Sequence, residues 1–335
     1  MAASKSITSG HPDAVYKGRI GYTGNLNDLA EGICTGYRLG KLVSTEIVKF
    51  GYEDLNMVVK TDKGKYFVKI LSRNRDVETR VWGTSKRYMD TMNRASYSGA
   101  NVPKLMNFNV SYFSSLAPIN SAAELKVCVM EFIDGENLYA SGINLTESEI
   151  KTLAKQVALI DKMDLKPEPI YDEWSIVNFA NEFKAKGKYL EADDRTLIEP
   201  VLEEFNKIKL APLPHCFVHG DILKTNVIKD KTGKLWIVDF AVSNYYPRIV
   251  ELAVLACNVL FDENSKEVSE SNLKSALKEY EKYINLTEEE HRLIPLFVRA
   301  AHAMHLLSAN YQKVVNGNST KENEYWMKQG RTGLS

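Results

Sequence analysis

Strand-forming and helix-forming segments are segregated along this chain, and that segregation limits the folds open to it more than any other feature. Before residue 134 the ordered runs are strand-like. LVSTEIVKF from Leu42, Met57 to Thr61 and Lys65 to Leu71 are rich in β-branched and aromatic residues. The last two flank Asp62-Lys63-Gly64, a short turn that makes them a hairpin. The charged and aromatic stretch from Glu78 to about Arg94 lacks proline and suits one helix, and VPKLMNFNV and LKVCVMEFI follow as further strands. After Gly142 the apolar period becomes helical. Thr146 and Glu149 form a capping-box pattern ahead of IKTLAKQVALIDKM, and further helical stretches fall at 174–190, 194–208, 248–261, 267–283 and 287–315. One short β island, Cys216 to Phe240, interrupts them, with NVIKD and KLWIVDF flanking the turn at Lys231-Thr232-Gly233. The pattern predicts an α+β fold of two lobes: an N-terminal extension over 1–40, a β-rich lobe with one helix over 41–133, and a helical lobe over 134–335. The first twenty or so residues are polar and aperiodic and read as a loose extension.

The β island carries the chemistry. It contains His219-Gly220-Asp221-Ile222-Leu223-Lys224-Thr225-Asn226, and the next strand ends in Ile237-Val238-Asp239-Phe240. Transfer of a γ-phosphoryl group needs a carboxylate beside the acceptor hydroxyl and oxygen ligands that hold Mg²⁺ against the triphosphate. Asp221 and Asn226 are five apart in a loop, so both can face one site. Asp239 closes the adjoining strand, where it can complete a metal shell.

The same Asp-to-Asn spacing occurs in the catalytic loop of protein kinases, with Asp239-Phe240-Ala241 in the place of their Asp-Phe-Gly. HGDILKTNV and VDFAVSNYYPRIVELAVL resemble the HGDLHxxNV/I and IDF…PR…DLA runs of the aminoglycoside phosphotransferase and choline kinase superfamily, which includes homoserine kinase-like and hydroxylysine kinase-like enzymes. The resemblance covers roughly residues 40 to 320. It implies a protein-kinase-like fold, ATP and Mg²⁺ as cofactors, Asp221 as catalytic base, and Asn226 with Asp239 as metal ligands. It also implies that Lys69, in Tyr66-Phe67-Val68-Lys69-Ile70, pairs with the α- and β-phosphates, with a solvated edge-strand lysine as the alternative. Glu78 is the expected ion-pair partner of Lys69, ahead of Asp76. Val127 to Gly135 resembles the hinge strand, in which Glu131 and Ile133 would offer backbone groups to adenine.

Two stretches depart from the pattern. The segment Lys49 to Asn56, where a glycine-rich phosphate loop belongs, holds a single glycine, and its Glu53-Asp54 pair is awkward beside a triphosphate unless it points away. Lys224 stands within a run where the superfamily more often has Leu-His-x-x, and it reads either as an extra positive charge near the transferred phosphate or as a solvated side chain.

Lys and Arg total 43, as do Asp and Glu, so the formal net charge is zero and no nucleic-acid partner is expected. No stretch approaches about 18 uncharged apolar residues, so no membrane span is expected either. Cys34, Cys128, Cys216 and Cys257 are scattered without ligand or disulfide spacing and read as reduced thiols of a cytoplasmic protein. His302 and His305 share a helix face but have no third ligand spaced for zinc, so they read as core histidines.

From Asp239 the chain reaches Pro247-Arg248 within about ten residues, which leaves no room for a phosphorylatable activation loop. The acceptor is therefore expected to be the hydroxyl of a small molecule, bound by the helical lobe around 144–210 and 270–320. Cationic acceptors such as choline or aminoglycosides would use carboxylates, for which Asp172, Glu173, Asp193, Asp194 and Glu251 are candidates, with Trp174 stacking on a quaternary amine. A homoserine-like acceptor would need Arg248 or Arg299. An amino-alcohol metabolite ranks ahead of an antibiotic. The alternative from another class is a nucleotide-binding pseudokinase with a scaffold role. The sequence leaves the oligomeric state open.

Overall fold

A computed structural model describes residues 13–49, 54–71, 85–106 and 125–335. The chain divides into two compact units, one formed by Met1–Asn93 with Pro103–Phe132 and the other by Arg94–Val102 with Ile133–Ser335.

The first unit is built on an antiparallel sheet, β1 (Leu42–Val48), β2 (Leu55–Thr61), β3 (Gly64–Ile70) and β4 (Val127–Glu131), hydrogen-bonded in that order. Alternation along β2 puts Leu55, Met57 and Val59 on a face fully closed to solvent, which Val68 and Val127 share. Burying each such side chain stabilises the fold by about 1.5–3 kcal/mol. The segment expected to trail loosely is folded from residue 13 onward. α1 (Ala14–Arg19) leads to a buried Ile20, and α2 (Leu26–Gly36) buries Leu29, Ala30, Ile33 and Cys34. Tyr37, just past α2, donates its hydroxyl to the Val127 carbonyl at 2.9 Å and so ties this segment to β4. α3 (Ser85–Ser96) occupies the end of the predicted helix. Of the predicted strand at VPKLMNFNV, the described part makes one bridge, Leu105 to Met130.

The second unit is helical around two small sheets. β5 (Gly135–Asn137) opens it, followed by α4 (Leu138–Ser141), and α5 (Glu147–Asp161) starts at the predicted capping box, with Thr146 and Glu149 each satisfying the other's backbone amide. The stretch expected as one helix near 174–190 is a 3₁₀ turn at Ile176–Asn178, then α6 (Phe179–Lys186), then a second 3₁₀ turn at Gly187–Tyr189. α7 (Ala192–Phe205) precedes β6 (His215–Val218), β7 (Val227–Asp230), β8 (Leu235–Ile237) and β9 (Asn244–Pro247). β5, β7 and β8 form one sheet with β7 central, and β6 pairs with β9. Every residue of α8 (Ile249–Asn258) is buried, and apart from Glu251 and Asn258 the helix is apolar on all sides. α9 (Lys266–Tyr280) and α10 (Glu288–Val314) follow, and α10 contributes the largest share of the core, from Leu293 to Asn310. A last helix, α11 (Lys321–Leu334), packs along α10 beyond the final helix read from the sequence. The four cysteines are free thiols, three of them buried. Among the described residues no helix is long and apolar enough to cross a membrane.

Candidate active site

β6 delivers the chain to Gly220, whose φ of +82° is open to a residue without a side chain, and the loop turns there. A carboxylate from α8 fixes this corner. Glu251, fully buried, accepts the backbone amides of both His219 and Gly220. Burial raises its pKa against the pull of those amides. His219 is also closed off. Its Nε2 lies 3.0 Å from the Val238 carbonyl and its Nδ1 accepts the Asp221 amide at 3.1 Å, so the ring is the neutral Nε2-H tautomer. Burial holds its pKa down at about 4, which keeps it uncharged at neutral pH.

Asp221 and Asn226 meet directly. The Asn226 amide nitrogen donates to Asp221 Oδ2 at 2.7 Å and to the Asp221 carbonyl at 2.9 Å. The β7–β8 hairpin then folds back, with Val227 opposite Ile237 and the Val238 amide on the Asn226 carbonyl at 3.0 Å, which returns Asp239 to the same loop. Asp239 has φ +67°, a left-handed conformation that costs a non-glycine residue about 1–2 kcal/mol. Asp221 as a residue keeps some exposure, but its carboxyl is enclosed. That enclosure first, and the charges of Asp239 and Asp172 next, raise its pKa well above the usual carboxylate range. The three predicted residues of this unit are therefore one cluster.

Asp172 is the residue whose place in this cluster the sequence marked only by abundance. It is buried, accepts the Trp174 amide at 2.9 Å, and its charge reaches Asp221. Rings gather behind it: Trp174 lies 6.4 Å from His305, His305 lies 5.0 Å from Trp326, and Trp326 lies 5.0 Å from Tyr325. Most of the other acceptor candidates are engaged elsewhere. Glu173 pairs with Lys186 at 3.1 Å, Asp194 with Arg331 at 2.6 Å, and Glu251 with the loop amides, while Asp193 lies exposed in the first turn of α7. Arg248 is bound by Glu290 and the Asn285 carbonyl, and Arg299 by Glu204. His302 and His305 are buried, and burial lowers their pKa values to about 3 and about 4.

In the first unit, Lys69 lies on β3, an interior strand paired with Asn56 on one side and Cys128 on the other, so the edge-strand alternative does not hold. Its Nζ is 2.9 Å from Asp54 Oδ2, both side chains 4% exposed, and 5.9 Å from the centre of the Tyr88 ring. Asp54, read as awkward, is thus turned inward as a counter-charge. Glu78 and Asp76, and most of the phosphate-loop segment, lie outside the described residues. The Glu131 amide donates to the Lys104 carbonyl at 2.9 Å, and in the second unit the Ile133 carbonyl accepts from the Gly135 amide at 3.0 Å.

In fold the chain is similar to the choline kinase LicA from Streptococcus pneumoniae, at 14% identity over 93% of this chain and 99% of that one, TM-score 0.61. It is likewise similar to the amicoumacin kinase hAmiN in complex with AMP-PNP, Ca²⁺ and Ami, at 15% identity over 90% and 92%, TM-score 0.61. A microcompartment-associated aminopropanol kinase matches at 13% identity over 92% and 95%, TM-score 0.60. The protein-kinase-like fold and the HxDxxxxN loop with its following aspartate define a small-molecule kinase. Residues 44–286 match the model of the phosphotransferase enzyme family, and the chain belongs to that family.

Proposed function

We propose that this kinase transfers the γ-phosphoryl group of ATP, with Mg²⁺, to the hydroxyl of a small cationic amino alcohol. The observation that carries the acceptor class is the buried Asp172 carboxylate, which shares the electrostatic environment of Asp221 and is followed by Trp174 and its chain of rings. A carboxylate backed by aromatic rings favours an ammonium group. An acceptor carrying its own carboxylate finds no support, because Arg248 and Arg299 are both held by glutamates.

Asp221 accepts the acceptor's hydroxyl proton as the oxygen attacks, and its raised pKa suits a general base better than an ordinary carboxylate's would. The Asn226 amide nitrogen, bonded to Asp221, holds that carboxylate in one rotamer. The donor set fits Mg²⁺: the Asn226 carbonyl oxygen and the Asp239 carboxylate are hard oxygen ligands. Mg²⁺ keeps several waters and takes its other ligands from a few side chains and the phosphates, so two protein ligands suffice for it. When bound, Mg²⁺ would neutralise charge on the phosphates. Lys69, with Asp54 as its counter-charge, would contact the α- and β-phosphates, and the Glu131 carbonyl and Ile133 amide would recognise adenine.

The test is transfer from γ-labelled ATP across amino alcohols, choline analogues, sugars and aminoglycosides, for the wild type and Asp221→Asn. Transfer confined to amine-bearing alcohols, and reduced about 10²–10⁴-fold in the variant, is expected. Nucleotide binding without transfer to any acceptor would replace this proposal with a pseudokinase role.

A further inference from the structure

The catalytic loop has a second anchor downstream of Asp221. The Lys224 amide donates to Asn258 Oδ1 at 2.6 Å, and the Lys224 carbonyl accepts the Tyr139 amide at 3.0 Å. Asn258 is the last residue of α8 and is 1% exposed. Its amide nitrogen donates to the Tyr325 hydroxyl of α11 at 3.0 Å, and the Tyr325 ring packs edge-on against Tyr139, 4.9 Å between centres. The chemistry of the two partners fixes which way the amide faces. A backbone amide can only donate, so it takes the oxygen of Asn258, and the Tyr325 hydroxyl is left to accept from the nitrogen.

Position 224 matters because the loop is tight around it. The Leu223 amide bonds to the Asp221 carbonyl at 2.9 Å and the Asn226 amide to the Leu223 carbonyl at 2.8 Å. A shift at Lys224 is passed to Asn226, and through the Asn226 side chain to Asp221. α11 is itself held firmly. Gln329 donates to the Cys257 carbonyl next to Asn258, Asn323 donates to the Ala309 carbonyl at 2.9 Å, and Arg331 pairs with Asp194.

We infer that Asn258 is a positioning residue for phosphoryl transfer, and that Tyr325 orients it, so that the C-terminal helix sets the geometry of the catalytic loop. The inference rests on the phosphotransferase reading. Neither side chain is assigned to ATP, Asn258 is not assigned to the acceptor, and Tyr325→Phe keeps the ring that ends the chain behind Asp172, so these losses should act on turnover and leave binding alone.

The experiment compares wild type, Asn258→Ala, Tyr325→Phe and the double variant for kcat, for KM of ATP and of the best acceptor, and for amide exchange of the segment 222–227. Asn258→Ala is expected to lower kcat about tenfold and Tyr325→Phe about threefold, the sizes that follow from losing one buried hydrogen bond or its orienting partner. Both KM values should stay within about twofold, exchange at Lys224 should quicken in both variants, and the double variant should be no slower than Asn258→Ala, because the two act in series. Unchanged kcat in Asn258→Ala, losses that multiply in the double variant, or unaltered exchange would overturn the inference. If Asn258→Ala does not fold, Tyr325→Phe, which keeps the ring, decides by the same readouts. Absence of transfer by the wild type would defeat the phosphotransferase reading instead, and exchange would still decide whether the anchor exists.

Discussion

The catalytic loop and the Asp172–Trp174 segment lie in the same helical unit but are held in different ways. Residues 219 to 226 are fixed by directional bonds: Glu251 on two amides, His219 on a third, Asn226 on Asp221. The other segment is bonded at the Trp174 amide to Asp172, at the Asp172 carbonyl by the Asn178 side chain at 2.8 Å and the Ser175 amide at 3.2 Å, and at Glu173 by Lys186, and to these it adds ring packing around Trp174. Hydrogen bonds fix angles, whereas ring packing fixes volume and tolerates small displacements. A base that removes a proton needs the first, and a subsite that admits a class of amines is served by the second.

The contrast can be broken at either end. The largest effect is expected from Glu251→Ala. Two buried amides lose their acceptor, so stability should fall by about 3 kcal/mol and kcat should fall with it, read by denaturant unfolding alongside turnover. Glu251→Gln keeps one acceptor oxygen and should recover part of both. Asp172→Asn should leave unfolding nearly unchanged and raise the acceptor KM by about thirtyfold while the ATP KM holds, the loss expected for one charged contact to an ammonium. An equal rise in both KM values would break the division between the two regions.

The smallest effect sharpens the comparison through pH. His305, packed at a tilt between the rings of Trp174 and Trp326, is neutral because burial lowers its pKa to about 4, whereas in the unfolded chain it titrates near 6.5. A depressed folded pKa means that the unfolded chain binds the proton first as pH falls. Its stabilising effect is complete above pH 6.5 and is lost progressively below, down to about 4. By pH 5.5 the loss should be about 1 kcal/mol relative to His305→Gln measured in parallel, and a parallel pH dependence of the two proteins would show that His305 does not titrate in this way.

Where local chemistry decided the outcome, the sequence was legible. The turn at Asp62-Lys63-Gly64, the capping box at Thr146 and Glu149, and the spacing of Asp221 and Asn226 each depend on neighbours a few residues away, and one hairpin returns Asp239 to them. α11 was not read from the sequence, and it carries two glycines, which are unfavourable inside a helix. Their reason is tertiary: a Cβ at Gly330 would stand 2.8 Å from Leu306 Cβ and 2.9 Å from the His302 carbonyl, and one at Gly333 would strike the His302 ring. Each glycine costs the isolated helix about 1 kcal/mol and is what lets it lie against α10. Asp54 could not be read as the partner of Lys69, since two β strands must pair before they meet. The acceptor candidates were equivalent in sequence and were sorted only by partners up to about a hundred and forty residues away, as with Asp194 and Arg331.

Asp239 makes one position of this protein answer to two incompatible demands. Its backbone adopts a conformation that glycine accepts freely, so the substitution that relaxes the fold there is the one that deletes a carboxylate proposed for the metal. A selection for thermostability alone would be drawn to Asp239→Gly, gaining about 1 kcal/mol and discarding turnover, whereas selection for turnover keeps the strain. Heat tolerance and catalysis would then diverge at this residue in any mutagenesis library, which gives a way to detect the carboxylate's role without knowing the acceptor.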